Sequence, residues 1–275
     1  MTVVEQGCRT CDCTRISKTT LRIRSVFLST QEEGSAWVDC DVHTFKVLDG
    51  GWEIQRTFDE TPCGAGNLDA FCGTIAYFEA GAVIRDLPGV PEPARELLRE
   101  CVRGIIQAES YLTTERGYGS LGGYDAAFAR MYANQCRFYA YPDDTSPPWS
   151  AYIGSYRRTE GLFHRRKAYV IDRQTDDCMR VSGTFCDSFH EIHMDLAFSP
   201  AGGQIQTATA QFLRSPGPPC SYCVRHAATL PGKSIATLSK RELGALLGGA
   251  EGCAHMVDIA GEMVAAAGRI VAQWP

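Results

Sequence analysis

The chain has 275 residues, 44% apolar and 21% charged, an ordinary globular composition with room for one large domain or two modest ones. A net charge of -5 argues against nucleic acid, whose phosphates need a basic face. The start of the chain lacks the basic and apolar regions of a secretory leader, and the most apolar stretch, 243–271, contains Glu251, His255, Asp258, Glu262 and Arg269, which excludes an ordinary membrane span.

Residues 1–18 are polar and cysteine-rich and read as an arm. The thirteen cysteines, without a leader, read as reduced thiols in a cytoplasm. Partial alternation of Leu21, Ile23, Val26 and Leu28 predicts a strand over 20–30. A second strand is expected over 36–48, a turn at Asp49-Gly50-Gly51, and a returning strand over 52–58. Ala94, Leu97, Leu98, Val102, Ile105 and Ile106 recur at helical spacing and predict an amphipathic helix over 91–112; another is expected over 125–137. Pro142, Pro147 and Pro148 mark 139–154 as a linker. Strands resume over 161–172, 179–184, 189–198 and 204–213. The end is helical over 240–247, stopped by Gly248-Gly249, and again over 253–273.

Two stretches share an order of features. Val42-His43-Thr44-Phe45 is followed by Gly50-Gly51 and Pro62-Cys63; Phe189-His190-Glu191-Ile192 is followed by Gly202-Gly203 and Pro219-Cys220. Each reads as strand, glycine turn, strand and a proline-cysteine corner leading to a helix. The expected fold is therefore α+β: two pseudo-repeated half-domains, antiparallel sheets covered by helices. The 1–18 arm would precede an N-terminal half over 19–138, the 139–154 linker and a C-terminal half over 155–275. His43 and His190 would then occupy corresponding strands.

Three constellations can carry chemistry. Continuous alternation from Asp187 to His193 puts His190 on the face of Ile192 and Met194, and Asp187 and His193 on the other. A histidine on the inner face is either a hydrogen-bonded core residue or a general acid or base. Cys220, Cys223, Cys253 and His255 have ligand types that suit zinc, although Cys-x-His on a helix turns its two side chains about 200 degrees apart. The bland reading is a set of small buried thiols, with no metal or other cofactor required. Nine of the eleven tyrosines fall between 111 and 169, Tyr118, Tyr124 and Tyr132 among them. Such a wall suits a phenolic or polycyclic ligand, or else an aromatic core or homodimer interface. Dinucleotide, nucleotide and serine-hydrolase motifs are missing.

The sequence Tyr156-Arg157-Arg158-Thr159-Glu160-Gly161-Leu162, the His190 strand, Pro219-Cys220 and Gly252-Cys253-Ala254-His255-Met256 together resemble a bacterial family, the domain of unknown function numbered 2889. The resemblance covers about 155–272, with a weaker echo in the first half. It implies a bacterial cytosolic protein, often encoded among genes for breakdown of aromatic compounds. That setting, the tyrosines and the missing cofactor motifs lead us to expect a cofactor-independent lyase on a phenolic, lignin-derived small molecule, one that cleaves a carbon-carbon bond and releases a small carbonyl such as formaldehyde. The expected acid–base residues are His190, His255 and His193. Tyr156 or Arg158 would orient the phenolate, and Tyr118, Tyr124, Tyr132 and His43 would bind substrate. The alternative is a non-catalytic binder of an aromatic ligand or of zinc.

Overall fold

The computed structural model of the chain describes residues 2–59, 61–141, 147–154 and 157–274. Nine strands are present: β1 (Thr2–Arg15), β2 (Thr20–Ser29), β3 (Glu33–Asp41), β4 (Val47–Arg56), β5 (Gly64–Asn67), β6 (Gly161–Thr175), β7 (Cys178–Asp187), β8 (Glu191–Phe198) and β9 (Ile205–Arg214). They form one sheet in the order β5-β4-β3-β2-β1-β6-β7-β8-β9. The helices are α1 (Ala80–Arg85), α2 (Glu92–Ala108), α3 (Leu121–Met131), α4 (Arg137–Ala140), α5 (Trp149–Ile153), α6 (Pro218–Tyr222), α7 (Lys240–Leu247) and α8 (Ala254–Gln273). None of the described helices is long and apolar enough to cross a membrane. The chain divides into two compact units, one of residues 1–7, 125–152 and 167–275, the other of 8–124 and 153–166. That division is not the sequential one expected, because the long strands β1 and β6 each contribute residues to both units.

In the unit built on 8–124, β2 buries Leu21, Ile23, Ser25 and Phe27 on one face, the period of two that its sequence carries. It pairs antiparallel with β3, and β3 with β4. Helix α2 lays its apolar stripe on β2 and β3: Leu97, Leu98, Cys101 and Ile105 are buried, and the Cys101 thiol reaches the Ala36 carbonyl at 3.6 Å. Gly104 on that stripe lets α2 approach β1, since a Cβ there would lie 2.6 Å from Cys11 Sγ. Two carboxylates, Glu100 in α2 and Glu109 just after it, are buried with partners. Glu100 meets Arg165 at 2.9 Å and Arg103 at 2.9 Å, and Glu109 accepts from Arg116 Nε at 2.7 Å and Tyr118 Oη at 3.1 Å.

In the unit that holds the C-terminus, β7 buries Met179, Val181, Gly183 and Phe185, and β8 buries Ile192, Met194, Leu196 and Phe198. Helix α8 packs on both strands through Met256, Ile259, Met263 and Ala267. Gly183 leaves room for Met263, whose Sδ a Cβ there would strike. Buried Glu5 accepts from Tyr169 Oη at 2.8 Å and from Arg269 at 2.6 Å.

Several expectations are corrected. Residues 1–18 are not an arm: Thr2–Arg15 is β1, with Cys11 and Cys13 fully buried. The turn expected at 49–51 lies earlier. Asp41 Oδ1 accepts from the His43 and Thr44 backbone amides and the Thr44 hydroxyl, and Phe45 adopts φ +58°. Gly50 and Gly51 instead sit within β4 opposite Val38 and Trp37, where a Cβ on Gly51 would lie 2.9 Å from the Trp37 indole nitrogen. Gly202-Gly203 does form a turn, Pro62-Cys63 leads into a strand and Pro219-Cys220 into a helix. His43 lies between β3 and β4, whereas His190 lies between β7 and β8. The two histidines therefore do not occupy corresponding strands, and the motif alignment of the two halves fails. Arg165 and Lys167, in a basic run that would suit a solvated strand edge, are buried against Glu100 and Glu262, the latter pair at 2.9 Å.

Glu100→Gln leaves the Arg165 guanidinium buried beside a neutral amide, and should lower unfolding free energy by about 3 kcal/mol in urea denaturation.

Candidate functional site

The turn between β7 and β8 builds the site. Asp187 ends β7 with its carboxylate turned back: Oδ1 accepts the amides of Phe189 at 2.7 Å and His190 at 2.6 Å. Its own amide donates to the His190 carbonyl at 2.9 Å. Arg214 braces the turn from β9, donating to the Asp187 carbonyl at 2.6 Å, and the Tyr152 hydroxyl donates to the Phe189 carbonyl at 2.6 Å. The His190 ring is thereby held with Nδ1 3.3 Å from Asp187 Oδ1.

The third member comes from the start of α8. His255 stands in its first turn, with Nε2 3.8 Å from Asp187 Oδ2 and its ring centroid 4.0 Å from that of His190. Asp187 and His190 are buried, and His255 is 17% exposed, so His255 is the member that solvent reaches. Phe185 packs on the His255 ring at 4.9 Å, and Trp149 on Phe189 at 4.7 Å. On the far side Cys253 Sγ lies 3.8 Å from His255 Nδ1. Burial first, and then the neighbouring Cys220, hold the Cys253 thiol well above the usual range.

Two imidazoles and one carboxylate in this arrangement offer a proton donor, a proton acceptor and an orienting group. They also offer three metal ligands. The ligand atoms of Asp187, His190 and His255 all lie within 4.8 Å of one another. Bonds of about 2.0–2.1 Å to zinc place tetrahedral ligands about 3.3 Å apart, against 3.3 Å from His190 Nδ1 to Asp187 Oδ1 and 3.8 Å from His255 Nε2 to Asp187 Oδ2. The set expected for zinc does not gather in this way: among the described residues, Cys220 and Cys223 are outside the cluster. Burial raises both thiols, Cys223 to about 11.

Residues 150–269 match the model of a family described as a protein of unknown function, DUF2889. The match contains Asp187, His190, His255, Pro219-Cys220 and the stretch around Cys253, so the resemblance read from the sequence holds for the C-terminal part. No curated protein and no solved structure matches the chain.

The remaining expected residues disperse. His193 points to the other face of β8, where Nε2 meets Asp195 Oδ2 at 2.7 Å. His43 is exposed in the β3–β4 turn, its Nδ1 3.0 Å from the Glu115 carbonyl. The Tyr118 hydroxyl is bonded to Glu109 and pushed up to about 12, first by burial and then by that carboxylate. Tyr124 is wholly buried with its hydroxyl 2.9 Å from Ser110. Tyr132 stacks on Phe128 at 4.6 Å. Arg158 lies over the Tyr111 ring at 4.1 Å and donates to the Leu162 carbonyl. Tyr156 lies outside the described residues. Asp187 was the residue missed: reading 187–193 as one strand sends its side chain away from His190. The available signal was Asp followed by Ser, a pairing that favours a side-chain-capped turn.

Asp187→Ala removes the acceptor of two buried amides and should cost about 2–3 kcal/mol of stability, measurable by thermal unfolding. In the native protein, iodoacetamide should modify exposed Cys63 while Cys220, Cys223 and Cys253 stay unmodified, as peptide mass mapping would read.

Proposed function

We propose that the protein is a lyase acting on a phenolic, lignin-derived small molecule through histidine acid–base catalysis, with no redox cofactor. The observation that supports this reading most is the His190–His255 pair, ring centroids 4.0 Å apart, with Asp187 3.3 Å from one ring and 3.8 Å from the other. Two adjacent proton-transfer groups suit a reaction in which one proton is taken while another is given.

In the proposed reaction, the phenolate expels a benzylic hydroxyl, which leaves as water with a proton from the catalytic acid, and a quinone methide forms. The base then removes the proton of a neighbouring hydroxymethyl group. Its carbon–oxygen double bond forms as the carbon–carbon bond breaks, and the released electron pair becomes an alkene and restores the aromatic ring. The products are water, formaldehyde and an alkenyl phenol, and no electrons enter or leave. His255, the more accessible ring, meets the substrate; Asp187 orients His190, the partner that relays or holds the proton. Phe185, against His255, supplies an apolar wall.

A second reading draws on the ligand spacing: Asp187, His190 and His255 hold a divalent metal that polarises a substrate oxygen. One experiment separates the two. Purified protein, freed of metal by a chelator, is incubated with lignin dimers and phenylpropanoids, and products and formaldehyde are followed by mass. Under the acid–base reading turnover persists, and His190→Gln lowers it by about a hundredfold to ten-thousandfold. Turnover lost to the chelator and restored by zinc favours the metal. No conversion across the panel, with or without metal, rejects the lyase.

A further inference from the structure

The unit built on 8–124 contains a cavity of about 560 Å³, a size that takes a small-molecule ligand. None of its lining residues belongs to the Asp187–His190–His255 cluster. Four cationic side chains line it, Arg15, Lys18, Arg157 and Arg158, against one carboxylate, Glu115.

That carboxylate is already engaged, because Arg15 donates to Glu115 Oε1 at 2.7 Å. Arg157 reaches an uncharged partner, Thr114 Oγ1, at 3.3 Å, and neither Arg157 nor Lys18 has a carboxylate partner among the described residues. Arg158 is held over the Tyr111 ring and by the Leu162 carbonyl, so its position is set before any ligand arrives. Concentrating like charges in one concavity is unfavourable in isolation, and a bound anion relieves it. Guanidinium groups match the oxygen geometry of carboxylates and phosphates, which names the ligand chemistry.

We propose that this cavity binds the carboxylate or phosphate group of a small molecule, with Arg157 and Lys18 as its mobile contacts and Arg158 as its fixed one. The site stands on the cavity and its charges and is independent of the lyase reading.

The test is a calorimetric titration of the full chain at low ionic strength with two ligands, inorganic phosphate and benzoate. Saturable binding of at least one is expected, and whichever binds tells phosphorylated from carboxylated ligands. Arg157→Gln and Lys18→Gln should each weaken it by about tenfold. Glu115→Gln, which removes the opposing charge, should tighten it by about threefold. Both cations are exposed, so thermal unfolding of their variants should be unchanged. A loss of fold cannot mimic opposite shifts from opposite charges. No saturable binding of either anion, or three variants that shift affinity the same way, overturns the proposal. Because the readout is binding without turnover, its failure and that of the lyase reading are separable.

Discussion

One carboxylate sets the geometry of the candidate site. Asp187 Oδ1 accepts two consecutive buried amides and stands beside the His190 ring, so the hairpin from β7 to β8 and the position of the imidazole are one constraint. Without that acceptor, two buried donors would be unsatisfied, at about 1–3 kcal/mol each, and the turn would have to open toward water. The same carboxylate faces His255 through its other oxygen at 3.8 Å, so the start of α8 lies beside the hairpin. The histidine pair is therefore preorganised by backbone hydrogen bonding, not by the histidines themselves.

The contrast with the turn between β3 and β4 is informative. There Asp41 likewise clamps the following residues, and its hydrogen bonds, the Thr44 hydroxyl first, hold its carboxyl below the usual range. Yet that turn presents His43 to solvent, and its imidazole meets a backbone carbonyl instead of a second histidine. An aspartate-clamped turn is thus a general solution to reversing the chain. It becomes a site where a neighbouring helix contributes a second titratable group, as α8 does with His255.

Each unit also spends ion pairs in its interior: Glu100 with Arg165 in one, Glu5 with Arg269 and Lys167 with Glu262 in the other. Buried pairs of this kind add little net stability compared with apolar packing, but breaking one is costly, so they favour one arrangement of the strands that carry them. Arg165 and Lys167 alternate along β6 with exposed Arg166, and a run of basic residues that reads as a solvated edge is in fact divided between interior and solvent by the pleat.

The amphipathic stripe of α2, the alternation in β2 and β8 and the helical end of the chain were legible because local periodicity alone reports them. So was the resemblance of the C-terminal part, where residues 150–269 match the family model. What the sequence could not decide was which residues meet. Gly50-Gly51 looks like a turn, but in β4 it makes room for Trp37 across the pair, a requirement set by a residue of another strand. The tyrosines pack with one another in pairs, Tyr118 on Tyr124 at 5.2 Å and Tyr132 on Tyr139 at 5.5 Å, and the hydroxyls of Tyr118, Tyr124 and Tyr152 are committed to Glu109, Ser110 and the Phe189 carbonyl. Asp187 entered the site because a turn replaced two residues of expected strand, which broke the alternation that would have sent it away from His190. Four cations distant in sequence became a pocket only once the chain brought 15–18 and 157–158 to one cavity. Periodicity is a property of neighbours along the chain, whereas a site is a property of neighbours in space, and only the packed structure sets the second.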